Sequence, residues 1–174
     1  MSHSNSDVCD QLMALLGKPR AVNVGLLLGL IDRLEEKPII ECPFEKYWGY
    51  SLPKSGISLN FDNELGIFDS FSLELRTFDS EDFKPYVGRL PYGVSRDDSV
   101  AVVEAKLPGS TMEIKDYRFD ADLRPLVVRF VFLAPDLNAP GLGERILSMV
   151  RVDYVDAVRN PAKAASLGYD VRQK

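Results

Sequence analysis

Apolar side chains recur at three- and four-residue spacing over the first 35 positions, and from Tyr47 onward they mostly alternate with polar ones. That change of period divides the chain into a helical start and a strand-rich remainder. Asp7 to Leu16 predicts a short helix with Val8, Leu12 and Leu15/Leu16 on one face. Gly17 fits the position just past its end, and Pro19 prevents continuation. A second helix is predicted over about Val22–Glu35, closed by Pro38, with Leu26, Leu27, Leu30 and Leu34 as its apolar face. Gly25 and Gly29 each weaken that helix by about 1 kcal/mol relative to alanine, so close packing against another element is expected there. Together the two segments read as an N-terminal helical hairpin.

Tyr47–Leu52 reads as a strand, and Pro53-Lys54-Ser55-Gly56 as a turn. Ile57, Leu59 and Phe61 alternate with Ser58 and Asn60 in a second strand, and Asp62–Gly66 is the next turn. Phe71, Leu73 and Leu75 alternate with Ser72, Glu74 and Arg76 in a third. This is the pattern of an antiparallel meander with one wet face. Further on, Met112–Phe119, Leu126–Leu133 and Arg145–Tyr154 read as strands, and Arg129 is the one polar residue in the second of these. In the third, Ile146, Ser148, Val150, Val152 and Tyr154 share a face. Ala134–Gly143 is a loop by composition, and Asp156–Leu167 is weakly helical around Pro161.

Between the two strand groups lies a glycine- and proline-bearing entry loop, Gly88-Arg89-Leu90-Pro91-Tyr92-Gly93-Val94-Ser95, followed by a helix at about Arg96–Leu107 and the stop Pro108-Gly109. Ser95 is placed to cap that helix. Asp98, three residues on, is placed to reach back in the manner of a capping box, and Asp97 and Asp98 put negative charge at the positive end of the dipole. The element order is then α-α-β-β-β-α-β-β-β. Strands do not alternate singly with helices, which excludes a doubly wound parallel sheet. The class is α+β, in one domain, with helices on one face of an antiparallel sheet.

Composition adds limits. A chain of 174 residues with 45 % apolar and 27 % charged side chains builds one self-sufficient core. Its net charge of −5 opposes general affinity for nucleic acid or anionic membrane. The polar start Met1–Asp7 lacks a signal-peptide pattern, and the longest apolar run, Val24–Ile31, is far short of a membrane span. A cytoplasmic location is expected, with flexible ends at 1–6 and about 168–174.

Candidate chemistry is sparse. The one histidine, His3, falls in the polar tail, so Cys9 and Cys42 lack a histidine base and read as inert thiols. Asp62, Glu64 and Asp69 near the second turn, and Asp79, Glu81 and Asp82 in the connection, are the carboxylates available for acid–base work or Mg²⁺, and their turn setting reads as solvation. No phosphate loop, dinucleotide fingerprint or nucleophile elbow is present. Phe61, Phe71, Phe130 and Phe132 lie at strand spacing and read as core. No catalytic residue, cofactor or metal is assigned. One asymmetry stands out: between Asn60 and Phe83, seven acids and one base (Arg76) give −6, against −5 for the whole chain. Plain solvation is one reading of this cluster; the other is a docking face for a basic protein, with Glu74, Asp79, Glu81, Asp82, Asp97 and Asp98 as its candidate residues. The basic residues Arg159, Lys163, Arg172 and Lys174 are available to pair with the acidic meander and mask it.

Several stretches carry a resemblance. Leu16-Gly17-Lys18-Pro19, Gly56-Ile57-Ser58-Leu59, the strand ending near Arg76, and above all Tyr86–Ser95 leading into Asp98-Ser99 and Val103 are similar to immunity proteins of bacterial polymorphic-toxin and type VI secretion systems. The exit Leu107-Pro108-Gly109 transposes the glycine and proline of that pattern. The resemblance covers about residues 56–133 and implies a non-enzymatic cytoplasmic protein that neutralises a cognate toxin, often by covering its active site. Gly88, Leu90, Pro91, Gly93 and Ser95 would be structural. A basic toxin suits an acidic inhibitor, because nucleases grip phosphate with positive charge. The competing readings are an adaptor or chaperone that loads an effector without inhibiting it, a carboxylate-dependent enzyme, and a housekeeping interaction module.

Overall fold

A computed structural model describes residues 8–44, 47–76, 84–109, 111–115, 118–133 and 145–167. The expected tails, the Ala134–Gly143 loop, His3, and Asp79, Glu81 and Asp82 lie outside the described residues. In chain order the elements are α1 (Val8–Leu15), α2 (Arg20–Arg33), β1 (Ile39–Phe44), β2 (Tyr47–Leu52), β3 (Ile57–Asp62) and β4 (Ile67–Glu74). A 3₁₀ turn (Pro91–Gly93) and α3 (Val100–Lys106) follow, then β5 (Thr111–Lys115), β6 (Arg118–Leu123), β7 (Leu126–Leu133), β8 (Ile146–Tyr154) and α4 (Pro161–Ser166). The class is α+β.

The eight strands form one antiparallel sheet in the order β1-β2-β3-β4-β8-β7-β6-β5. The chain meanders from one edge to the centre, leaves through the segment carrying α3, restarts at the far edge and meanders back. The two halves join where β4 pairs β8, from Ser70↔Asp153 to Glu74↔Met149. Register assigns the faces, because directly opposed residues point the same way. One face carries Leu59, Phe61, Phe71, Leu73, Phe119, Val128, Phe130, Val150 and Val152, each at most 1 % exposed. Helices α1, α2 and α3 cover it with Leu12, Leu27, Leu30 and Val103 in the same cluster. An aromatic ladder runs through this core: Trp48 stacks on Phe61 at 4.6 Å, and Phe61 meets Phe68 at 5.3 Å. The phenylalanines expected inside are inside.

Glycine is required at two joints. Gly17 ends α1 with φ +74°, and a Cβ there would stand 2.4 Å from the Tyr154 ring. Gly56 turns β2 into β3 with φ +65°, and its Cβ would meet the backbone nitrogen of Tyr86 at 2.4 Å. The returning segment closes over it, since Glu74 N–H donates to Gly56 O and Tyr86 N–H donates to Glu74 O.

The structure corrects five expectations. Helix α2 buries Asn23, Leu27, Leu30 and Ile31, while Leu26 is 58 % exposed. At 100° per residue, Leu26 falls with Val22, Gly25 and Gly29 on the outer side, so the two glycines face open space instead of a packed element. Strand β1 follows Pro38 directly and was not anticipated. The strand expected over Met112–Phe119 is two antiparallel strands, and the apolar positions shift from even (112, 114) to odd (119, 121) where β5 gives way to β6, with Ile114 opposite Phe119. Helix α3 is shorter than predicted and is capped by Ser99, whose Oγ accepts from Val102 N–H. Asp98 does reach back to Ser95 N–H, at 2.7 Å, but within a closed turn that precedes the helix. Finally, α4 packs on the opposite sheet face, with Ala164 against Val127 and Val155.

Candidate functional site

Two surfaces stand out, and the outer face of α2 is the first. Ala21, Val22, Gly25, Leu26, Leu28 and Gly29 all face solvent, with Val22 55 %, Leu26 58 % and Leu28 44 % exposed. No charged residue occurs between Arg20 and Asp32, so about 16 Å of helix surface, at 1.5 Å per residue, is free of charge. Both flanking arginines are drawn onto the protein itself. The Arg20 guanidinium lies 4.2 Å above the Trp48 ring, and Arg33 donates to Gly29 O and to the Gln11 side chain. An uncharged apolar helix face of this extent is a candidate contact surface. The edge strand β1 begins with Ile39 and Ile40, 54 % and 66 % exposed.

The second surface is the sheet face opposite the aromatic core, where charge is fixed in a row beneath α4. The expected neighbours of Asp69 are not water. Asp69, left over in the bulge between Phe68 and Ser70, meets Lys163 Nζ at 2.5 Å, and Asp153 lies 3.7 Å from the same nitrogen. Burial pushes the Asp69 carboxyl above the usual carboxylate range, against the pull of Lys163. Asp62 is 1 % exposed and works as a joint: one oxygen accepts the N–H groups of Glu64 and Leu65, and the other accepts from Asn160. Asn160 in turn caps α4 by accepting from Lys163 N–H at 3.1 Å. The sheet face continues with Arg151, which grips Asp153 through Nε and Nη2 and reaches Ser70. Beside it, Arg129 holds Asp120, which Arg118 also contacts at 3.1 Å. Between α4 and this face lies a cleft of about 350 Å³.

Of the expected acidic face, Glu74, Asp97 and Asp98 are among the described residues. Glu74 is half-buried at the end of β4 on the charged side of the sheet, and burial raises its pKa. Asp97 is exposed, whereas Asp98 is held by Ser95 N–H and by Lys106 at 2.5 Å, in the turn entering α3 on the helical side. The structure does not bring Glu74 together with these two. Asp62 and Asp69 are buried and bonded, and Lys163, one of the bases expected to mask the meander, pairs with Asp69. The entry loop contributes Leu90, Pro91 and Val94 to the interior, while Gly88, Gly93 and Ser95 lie nearer the surface. Gly93 has φ +69° and Tyr92 φ +59°, and Lys106 braces the loop by donating to Gly93 O at 2.9 Å.

Sequence reasoning passed over Arg151, Asp153 and Asn160. The available signal was Arg129, a lone charge inside the most apolar strand, which implies a partner on the same face. Among the described residues, no group of three or more His, Cys, Asp or Glu side chains is arranged to hold a metal ion, and no helix is long and apolar enough to cross a membrane. Comparison with family models, curated proteins and solved structures finds no match.

Proposed function

We propose that this protein is a non-catalytic binding module of the immunity type, which neutralises a cognate toxin or effector in the cytoplasm by covering its active site. The observation that carries the binding reading is the outer face of α2, where Val22, Leu26 and Leu28 present an uncharged ridge to solvent. A soluble domain keeps such a ridge exposed at a cost in solubility, which a partner offsets by burying it. The resemblance of Tyr86–Ser95 to the immunity proteins of toxin systems supplies the class of partner. The net charge of −5 steers a basic partner toward the chain, and the apolar ridge supplies the anchor once it arrives.

Co-expression of the full chain with the product of the adjacent upstream gene, followed by co-purification, tests the reading. A stable one-to-one complex is expected. Two chains of this protein associating through α2 in the absence of any partner would contradict it.

A further inference from the structure

The cleft beneath α4 sets two arginines side by side, each held by its own carboxylate. Arg129 and Arg151 are direct cross-strand partners on β7 and β8, and both project to the charged face. Like charges directly opposed on neighbouring strands repel. Each guanidinium is braced along one edge: Nε and Nη2 of Arg129 bond Asp120, and Nε and Nη2 of Arg151 bond Asp153. Nη1 of each is not used by those bonds. The side chains stay partly open to the cleft, 23 % for Arg129 and 34 % for Arg151. Lys163, from α4, brings a third cation to the same cavity, and Ser70 and Asn60 add neutral polar groups. Each of the three cations has a carboxylate of its own, Asp120 for Arg129, Asp153 for Arg151 and Asp69 for Lys163, and Asp120 stands outside the cleft lining, behind Arg129. Two guanidinium groups fixed from behind, each with Nη1 outside those bonds, can meet one planar oxyanion without being reorganised when the ligand arrives. The volume, about 350 Å³, is that of a small-molecule site.

We infer that this cleft binds a small molecule through a phosphate or carboxylate group seated between Arg129 and Arg151. The site is independent of the α2 surface, and it holds whether or not that surface recruits a toxin.

The test titrates the full chain with inorganic phosphate and, separately, with citrate, at an ionic strength held constant with sodium chloride, following melting temperature and heat of binding. A saturable rise with either anion over chloride supports the site; phosphate alone assigns a phosphate group, citrate alone a carboxylate. No rise over chloride with either overturns it. Arg129→Gln is the first variant, because Asp120 keeps Arg118 as a partner and no buried carboxylate is stranded. It is expected to weaken binding at least tenfold, and unchanged affinity overturns the inference. Should Arg129→Gln fail to fold, Arg129→Lys decides. It keeps the charge and loses the fork, so it too is expected to bind at least tenfold more weakly, and wild-type affinity in that variant overturns the site.

Discussion

Lys163, on the short helix near the end of the chain, places its Nζ 2.5 Å from Asp69 Oδ1 in the bulge of β4, 94 residues earlier in sequence. The pair sits almost wholly inside, with the lysine side chain 12 % and the carboxylate 5 % exposed. It ties α4 to the sheet and sets the roof of the cleft. Removing one member of such a pair strands the other. Lys163→Met is therefore expected to cost about 3–5 kcal/mol, whereas the double variant Lys163→Met/Asp69→Asn costs clearly less than that. Chemical denaturation of the three proteins measures both values. Equal losses in the single and double variants would show that α4 is held by packing alone.

Gly56 is the second mechanical joint. Alanine there suffers twice, from φ +65° and from a Cβ placed 2.4 Å from the Tyr86 nitrogen, a backbone atom that cannot swing aside. Strain and overpacking together predict a loss of about 2–4 kcal/mol for Gly56→Ala. The midpoint of urea unfolding checks it. Gly25→Ala and Gly29→Ala, by contrast, face open space in the middle of a helix and are expected to stabilise the protein by up to about 1 kcal/mol each.

Two carboxylates bend the pH dependence of stability in opposite directions. Burial raises the pKa of Glu74 in the folded state, so the folded protein holds that proton more tightly than the unfolded chain. Its contribution is favourable below the unfolded carboxylate value and is lost as pH rises through the folded value. Glu74→Gln is thus expected to gain stability over wild type at neutral pH, with the gain vanishing in acid. For Asp98 desolvation is the largest single influence, but the hydrogen bond and charge of Lys106 and the Ser95 N–H together outweigh it, and its pKa falls. That contribution is present above the unfolded value and is lost as pH falls through the folded one. Asp98→Asn should therefore lose stability at neutral pH and match wild type in acid. Unfolding midpoints at several pH values read both trends.

Cys9 lies on the inner side of α1 and is 1 % exposed. Burial, with a lesser push from Asp10, lifts its thiol to about 12. The thiolate is absent at ordinary pH, so Cys9 is expected to resist thiol reagents in the native protein and to react only on unfolding. Mass spectrometry after labelling, with and without denaturant, assigns the modified site.

The strand half of this fold was legible because alternation survives wherever one sheet face is apolar: β2, β3 and β7 fall where Tyr47–Leu52, Ile57–Phe61 and Leu126–Leu133 place them. The helices were less so. In α2 nearly every position from Ala21 to Ile31 is apolar or small, so periodicity cannot tell the inner side from the outer, and the buried Asn23 hides among outward leucines. Asn23 faces in because its Nδ2 donates to Leu15 O and Lys18 O, closing the end of α1, a role visible only once both helices are placed. The charged face was illegible for a different reason. Arg151 and Asp153 are two residues apart, but Asp69, Ser70 and Lys163 reach them from elements far away in sequence, and only the β4–β8 pairing brings them together. Two acids of the meander are held in the same way: Asp69 pairs with Lys163, and Asp62 accepts a hydrogen bond from Asn160.

The most direct measurement is survival of cells that express the product of the adjacent upstream gene together with this chain, comparing wild type with Leu26→Glu. Leu26 is 58 % exposed and packs against nothing the fold needs, so the variant should fold and melt as wild type does. Placing a carboxylate in the centre of the uncharged ridge should abolish protection and co-purification. Protection by wild type that is lost in Leu26→Glu, with the fold intact, is the predicted result. Full protection by Leu26→Glu would move the interface away from α2, and no protection by wild type would contradict the immunity reading itself.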